Sequence, residues 1–344
     1  LSQQNQHTLF FVGTRGGGGF ERRLVEEANI PFAAVDEVFA GPIVGVNPLR
    51  AMTSLVLMSM GIVQSLILLL RHQPAAILLT GGWANVPLAL AAWLRRVPML
   101  VYLPDIEPGS TIKLLARFAQ KVAITVPDSA QYFRTGQTVV TGYPLRQAVY
   151  HATRDAALQH FKLDSSRRTL LVFGGSRGAR SINIALTSIL PDLLQEPIQI
   201  LHVTGTLDYE RVQTEVAAIP DKMHYHSDAY LDDTMGMALA AADMVLSRAG
   251  ASVLGEFPFF GLPAILVPYP YAWRYQKTNA DYLAARGAAV RLDDDKMTTE
   301  LLPLLRDWLH HPTKLKDMRA AAKALAQPHG AEHLAQVLVE LAYD

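Results

Sequence analysis

Short apolar runs alternate along this chain with longer stretches of helical period, and no other feature restricts the fold as much. Runs bounded by Gly, Pro or Asn predict strands at Thr8–Val12, Ala76–Leu79, Met99–Leu103, Val122–Thr125, Val139–Thr141, Thr169–Phe173, Gln199–Val203, Met244–Ser247 and Ala264–Val267. Helical spacing predicts helices over Phe20–Ala28, Pro48–Arg71, Val86–Trp93, Thr111–Phe118, Ala179–Leu194, Asp233–Ala242, Ser252–Phe259, Thr278–Ala285 and Leu301–Leu309. Strand–helix alternation of this kind means parallel sheets with right-handed crossovers. The pattern is drawn twice. The Gly/Pro-marked stretch Gly142–Arg146 (GYPLR) falls between the two copies, and 344 residues suffice for two cores at roughly 150 residues per domain.

Composition narrows the chemistry. Half of the residues are hydrophobic and 18% are charged, which is a globular and not a disordered balance. The formal net charge of +0 lacks the basic footprint of a nucleic-acid binder, so no nucleic-acid partner is expected. Residues 1–146 carry 12 Lys/Arg against 8 Asp/Glu, and the remainder 19 against 23, out of 31 of each. That excess suits an anionic membrane surface; a chance imbalance of surface charge is the alternative. With no cysteine, disulfides, thiolate nucleophiles and Cys-based metal sites are excluded. The polar opening Leu1–His7 does not read as a signal peptide, and because the first residue is Leu an upstream segment is expected. Ala51–Leu70 (AMTSLVLMSMGIVQSLILLL) has 20 residues without a charge, long enough to span a bilayer. Its Ser, Thr, Gly and Gln content favours a buried or membrane-facing helix of an α/β domain over a true span. His224 with His226, and His310 with His311, have no partners at metal-ligand spacing, so no metal is expected. Trp93 and Trp308 read as core.

Two glycine-rich turns carry the chemistry. The first is Val172–Arg180 (VFGGSRGAR): a buried strand runs into Gly174-Gly175-Ser176, and Gly178-Ala179 open a helix. Glycine lets backbone approach a ligand, and a helix start offers unpaired N–H groups to a phosphate. A tight strand–helix turn with no ligand is the bland alternative. The spacing is neither a dinucleotide G-x-G-x-x-G nor a P-loop. The second turn lies in Ser247–Pro263 (SRAGASVLGEFPFFGLP), where Gly250-Ala251 begin a predicted helix and Glu256 follows about one and a half turns on. A carboxylate beside a phosphate site is unhelpful unless it serves another group, and accepting ribose hydroxyls is such a service; a solvated helix Glu is the alternative. Two anion-ready helix starts in one domain point to a nucleotide.

These runs resemble the MurG family. GGSRGAR, SRAGAS…E…GLPAILVPYP, and Gln276 with Asn279-Ala280 look like its donor-domain signatures. GYPLR resembles its G-N-P-V-R joint, Gly81-Gly82-Trp83 its second glycine loop, and Phe11–Ile30 its second strand and following helix. The resemblance implies a GT-B-like α/β fold: two doubly wound, parallel-sheet, Rossmann-like domains facing a cleft. The division implied is residues 1–147 on the acceptor and membrane side and 148–328 for the UDP-sugar donor, with 329–344 returning to the first domain. It also implies an inverting transfer of N-acetylglucosamine from UDP-GlcNAc to a polyprenyl-diphosphate-linked muramyl-peptide, by a peripheral protein on the cytoplasmic membrane surface. No cofactor is implied beyond the donor substrate. By the same resemblance Arg146, Gly175 and Ser176 contact the donor's phosphates or sugar, and Tyr230-Leu231 present backbone to uracil. Ala251, Ser252 and Val253 bind the diphosphate, Glu256 the ribose and Gln276 the sugar hydroxyls. Arg248 supports the site from behind or forms a structural ion pair, and Gly81 and Gly82 line the acceptor side.

The sequence departs from the family in three places. The family's first strand and G-G-T-G-G-H loop have no counterpart, so the chain is expected to be incomplete at its start and to bind uridine diphosphate while transferring sugar poorly. The family's H-E-Q-N-x-x-P-G segment reads Tyr102–Gly109 (YLPDIEPG), which places Asp105 where an Asn is expected. Asp105 is thus the candidate general base, ahead of Glu107. Tyr143 replaces the Asn of the joint. The acidic run Asp293-Asp294-Asp295 reads as a surface turn. Two other functions stay open at this point: a UDP-GlcNAc 2-epimerase-like enzyme, and a non-catalytic sugar-nucleotide binding protein. A lipid glycosyltransferase acting on diacylglycerol is a nearer relative of the same idea.

Overall fold

The apolar runs become strands, and every strand pairing among the described residues is parallel. The computed structural model describes residues 7–15, 25, 30–42, 45–175, 179–270 and 275–343. Apart from Val25, the expected helix Phe20–Ala28 falls outside these, as does the candidate Ser176. The chain forms two compact units: residues 1–103, 108–141 and 331–344 make the first, and residues 104–107 with 142–330 the second.

The second unit is built on a six-stranded sheet. Its strands are β7 (Arg168–Phe173), β8 (Ile198–Val203), β9 (Tyr225–Asp228), β10 (Met244–Ser247), β11 (Ala264–Leu266) and β12 (Ala289–Arg291), in the order β12-β11-β10-β7-β8-β9. Every pairing is parallel. The central strands are buried end to end because helices cover both faces, which is why they read as unbroken apolar runs. Among those helices, Arg180–Leu193, Met297–His310 and Pro312–Ala324 pack Leu186, Leu305, Trp308 and Leu315 against Leu170, Ile200 and Leu246. His202 of β8 lies in this core, with Nδ1 2.8 Å from the Tyr225 hydroxyl and Nε2 3.0 Å from Asn183 Oδ1. Burial pushes it down to about 3, so it is a neutral structural histidine.

In the first unit β3 (Ile77–Leu79), β4 (Met99–Leu103), β5 (Lys121–Ile124) and β6 (Thr138–Val140) form a parallel sheet in sequence order. Strands β1 (Phe10–Thr14) and β2 (Ala34–Val38) pair separately, also in parallel. The C-terminal helix Gly330–Tyr343 packs Leu334 and Leu341 against Leu100, Tyr102 and Ala123.

The long apolar segment is the helix Pro48–His72. Asn47 caps it, its side chain accepting from the Arg50 amide at 2.8 Å, and Pro48 supplies the preset first turn. Its inward face is built of small residues: Ser54, Gly61 and Ser65 are buried with Met58 and Leu69. The large aliphatics Leu49, Met52, Val56, Val63 and Ile67 are exposed, each by more than half. The helix is therefore amphipathic in size and not in polarity. It is long and apolar enough to cross a membrane, yet only 28% of its most apolar window is buried in the protein. The neighbouring helix Asn85–Arg95 leaves Trp93 55% exposed, so Trp93 is a surface residue and not the core residue expected; Trp308 is fully buried.

Three other expectations need correction. The boundary falls at Gly142 instead of 147/148, and residues 104–107 belong with the second unit. A backbone amide and a carboxylate in that segment, Ile106 N–H and Asp105 Oδ1, are bonded to Asn279 at 3.2 and 2.8 Å, and Gly142 packs on Gln327. The helix expected over Ser252–Phe259 is instead a 3₁₀ turn, Ala251–Leu254, followed by a short helix, Glu256–Phe260. Pro258 has no amide hydrogen to give a helix running on from Ser252, whereas in the short helix Glu256–Phe260 it stands in the first turn, where none is needed. Finally, strands β2, β9 and β12 are additional to those expected.

Close packing at Gly61 yields a test. A Cβ there would lie 2.0 Å from the Phe39 carbonyl oxygen. Gly→Ala in a helix ordinarily stabilises by up to ~1 kcal/mol, but overpacking costs roughly 1–3 kcal/mol and a backbone atom cannot swing away. Gly61→Ala is therefore expected to lower stability in denaturant titration, and a stabilised variant would refute the tight contact.

Candidate functional site

In a parallel sheet all strand C-termini share one edge, and ligands of open α/β folds bind outside that edge. At this edge of the second unit lie both glycine turns. After β7 the chain passes through Gly175 at φ +93°, a left-handed conformation that a side chain would strain, before entering the helix Arg180–Leu193. After β10 it passes Arg248, the fully buried Ala249, and Gly250 into the 3₁₀ turn. The Val253 amide already bonds the Gly250 carbonyl at 3.2 Å and its side chain is buried. The amides of Ala251 and Ser252 precede that bond at the start of the turn.

Glu256 is the first residue of the short helix and is only 8% exposed. It is therefore not the solvated surface glutamate that its spacing alone allowed. Burial pushes its carboxyl above the ordinary value, while the positive charge of Arg146 and a hydrogen bond from Ser252 pull it back. Tyr143 belongs to the same neighbourhood. Its phenol is pushed up to about 12, first by burial, then by the negative charge of Glu256, with Arg146 opposing and Asp105 adding to the rise. A Cβ on Gly255 would sit 2.5 Å from Tyr143 Cβ, and one on Gly330 2.4 Å from the Tyr143 carbonyl oxygen. Glycine on both sides is what lets the Tyr143–Arg146 segment lie against Glu256.

Asp105 is brought to this edge by Asn279. The Asn279 amide nitrogen donates to Asp105 Oδ1 at 2.8 Å and to the Ala249 carbonyl at 3.1 Å, while its oxygen accepts from the Ile106 amide. One buried side chain thus ties residues 104–107 to the turn after β10. Burial raises the Asp105 carboxyl above its ordinary value, and the Asn279 hydrogen bond lowers it in part. Asn279 was visible in the sequence only as part of a motif; its role is legible once three backbone and side-chain partners surround it.

The remaining expected residues are placed as follows. Gln276, in the first turn of the helix Tyr275–Ala285, accepts from the Tyr269 amide at 2.8 Å. Tyr230, half exposed, and Leu231 follow β9 at the same sheet edge, two strands from β7. Arg248 takes the ion-pair alternative: its guanidinium is bonded to Asp294 and Ser181. Asp294 is accordingly not the plain surface-turn residue expected. Gly81 and Gly82 belong to the first unit, where φ values of +95° and +80° turn the chain from β3 into the helix Asn85–Arg95. Among the described residues no group of three or more His, Asp or Glu is placed to hold a metal ion.

Two parallel-sheet α/β units, one carrying glycine turns, a buried acid and an adjacent arginine at its strand ends, define a GT-B-like nucleotide-sugar enzyme fold. Residues 2–124 match the glycosyltransferase family 28 N-terminal domain and residues 169–334 its C-terminal domain. The chain belongs to glycosyltransferase family 28. It is 40% identical to the UDP-N-acetylglucosamine–N-acetylmuramyl-(pentapeptide) pyrophosphoryl-undecaprenol N-acetylglucosamine transferase of Roseiflexus sp. (strain RS-1), covering 99% of this chain and 85% of that protein. The crystal structure of Acinetobacter baumannii MurG superposes with a TM-score of 0.75 at 26% identity, covering 98% of this chain and 92% of that one. A UDP-GlcNAc 2-epimerase from Neisseria meningitidis shares the fold, with a TM-score of 0.68 at 11% identity over 97% and 91% of the two chains.

The buried acids predict a pH dependence. Glu256 and Asp105 have folded values above their ordinary 4.5 and 3.8, so between the ordinary and raised values the folded chain holds more protons than the unfolded one. By linkage their contribution is greatest below the ordinary values and is lost as pH rises through the raised ones. Glu256→Gln should therefore gain stability relative to wild type as pH rises from 4.5. Denaturant midpoints across pH measure this, and parallel curves for the two proteins would contradict it.

Proposed function

We propose that this chain transfers N-acetylglucosamine from UDP-GlcNAc to a muramyl-peptide carried on a polyprenyl diphosphate, at the cytoplasmic face of the membrane. The observation that carries the proposal is the buried Glu256 set beside Arg146, at the turn after β10, within a chain 40% identical to a transferase of that name. The Glu256 carboxylate is the acceptor for the ribose hydroxyls, which replace the water it gives up on burial. The amides of Ala251 and Ser252, with Gly175, Ser176 and Arg146, receive the diphosphate. Gln276 reaches the sugar, and backbone at Tyr230 and Leu231 reaches uracil.

The reaction is an in-line displacement. The acceptor hydroxyl oxygen attacks the anomeric carbon, the bond from that carbon to the diphosphate oxygen breaks, and the hydroxyl proton passes to a base. Charge grows on the departing diphosphate, where preorganised N–H groups and Arg146 stabilise it more than in the ground state. Asp105 is the base: it is held at the turn after β10 by Asn279, and its raised carboxyl value brings it nearer the working pH than an ordinary aspartate. Asp105→Asn is expected to cut kcat by about 10²–10⁴-fold while leaving uridine diphosphate affinity within a few fold. A radiolabelled transfer assay decides this, with the free sugar products measured in parallel. Release of epimerised sugar without acceptor would favour the epimerase reading, and an undiminished kcat would remove Asp105 from the chemistry.

The exposed aliphatic face of the helix Pro48–His72 is the membrane-contacting surface in this proposal. Arg50 and Arg71 flank its apolar run, and Trp93, Leu94, Arg95 and Arg96 continue it on the helix packed alongside. Apolar insertion with basic flanks is the chemistry of a peripheral protein on anionic lipid. Vesicles containing anionic lipid should bind the protein and release it in high salt or carbonate. Retention after both washes, with release only by detergent, would establish a span instead.

A further inference from the structure

The donor site proposed above needs two turns, after β7 and after β10, held at one spacing. The side chain that spans them is Arg248, whose own side chain is 10% exposed and turned into the protein. Its Nη1 donates to the carbonyl oxygens of Val267 at 3.2 Å and Pro268 at 3.4 Å, just beyond β11, and to Asp294 Oδ1 at 2.5 Å. Its Nη2 donates to Ser181 Oγ at 2.6 Å, and that hydroxyl donates in turn to the same Asp294 oxygen at 2.9 Å. The three side chains form a closed ring.

The position of the ring in the fold gives it meaning. Ser181 stands in the first turn of the helix that follows β7, and Asp294 in the 3₁₀ turn Asp294–Lys296 that follows β12. The sheet order runs β12-β11-β10-β7, so one guanidinium gathers the C-terminal ends of four adjacent strands. Asp294 is the only acidic member of the ring, and it accepts from both of the others. Without it a nearly buried cation loses its counter-charge, and the Ser181 hydroxyl loses its acceptor. The helix after β7 is then tied to the turn after β10 by a single bond from a misplaced guanidinium.

We propose that Asp294 is a positioning residue for nucleoside diphosphate binding: it fixes Arg248 and Ser181 so that the start of the helix Arg180–Leu193 and the turn after β10 keep the spacing one diphosphate requires. This rests on the donor-site reading of the second unit. Asp294 touches no reacting atom; it acts through the two residues it holds.

Uridine diphosphate is titrated by calorimetry into the full chain as wild type, Asp294→Ala, Asp294→Asn, Ser181→Ala, the Asp294→Ala/Ser181→Ala pair, and Glu256→Ala. Asp294→Ala should weaken binding by about tenfold, and the double variant by little more, because the two residues act as one unit. Asp294→Asn retains an acceptor oxygen and should recover most of the affinity. In transfer assays the donor KM should rise more than kcat falls. A purely structural role would lower thermal stability while leaving affinity and KM unchanged, and that result in a folded Asp294→Ala overturns the proposal. If Asp294→Ala does not fold, wild-type affinity and donor KM in a folded Ser181→Ala overturn it equally. A wild-type chain that binds no uridine diphosphate removes the donor reading and this inference together. Weak binding by Glu256→Ala beside normal binding by Asp294→Ala removes this inference alone.

Discussion

Parallel strand pairing is the constraint on which the rest of this molecule depends. Two parallel strands cannot be joined by a tight turn, so each connection must cross back over a face of the sheet, and a helix is the cheapest way to do it. Both faces of the six-stranded sheet are thereby covered, β8 and β10 are buried throughout, and every strand delivers its C-terminal end to one edge. The glycine turns, Glu256 and the acidic 3₁₀ turn reach that edge because the topology sends them there. Residues separated by more than a hundred positions, such as Ser181 and Asp294, become neighbours without any local sequence signal.

Burial of acids at that edge is the second organising fact. Burial of a carboxyl disfavours its charged form, and Glu256, with Arg146 only partly opposing, and Asp105 both show it. The surface acids Glu196 and Asp307, bonded to arginine, lysine or histidine, are held below the ordinary range instead. A core that serves only stability has no use for two destabilised acids whose charges both bear on one tyrosine. Perturbed acids gathered where a sheet edge meets glycine turns are the pattern of a binding or catalytic site.

The helix Pro48–His72 shows how close approach can replace hydrophobic burial. Its inward residues include Ser54, Gly61 and Ser65 beside Met58 and Leu69, and Gly61 lies against the backbone of Phe39. The helix is anchored by contact of backbone with backbone, by Gln64 accepting from the Phe39 amide at 2.9 Å, and by the His72–Asp36 pair. Its bulky aliphatic residues are left for the outside, the reverse of a soluble surface helix.

The sequence by itself determined the parts whose signals are local. Buried strands such as Met99–Leu103 and Met244–Ser247 are unbroken apolar runs and were legible with their ends. The helix Pro48–His72 is bounded by Asn47 and Pro48, whose capping chemistry needs no tertiary partner. The glycine turns, Glu256 and the candidate Asp105 were legible as residue types at motif spacing. What only the tertiary structure decided lies elsewhere. Strands β2, β9 and β12 escaped because each lies at a sheet edge, where polar sequences such as Tyr225–Asp228 need pairing from one side only. The need for glycine at 255 comes from the Tyr143 side chain that crowds it, Trp93 faces outward because its neighbours cover another face, and residues 104–107 join the second unit through Asn279. Asp294 read as a surface turn until Arg248 and Ser181 were seen bonded to it. Hydrophobic period records which face of an element is covered; it carries no record of which distant side chain covers it.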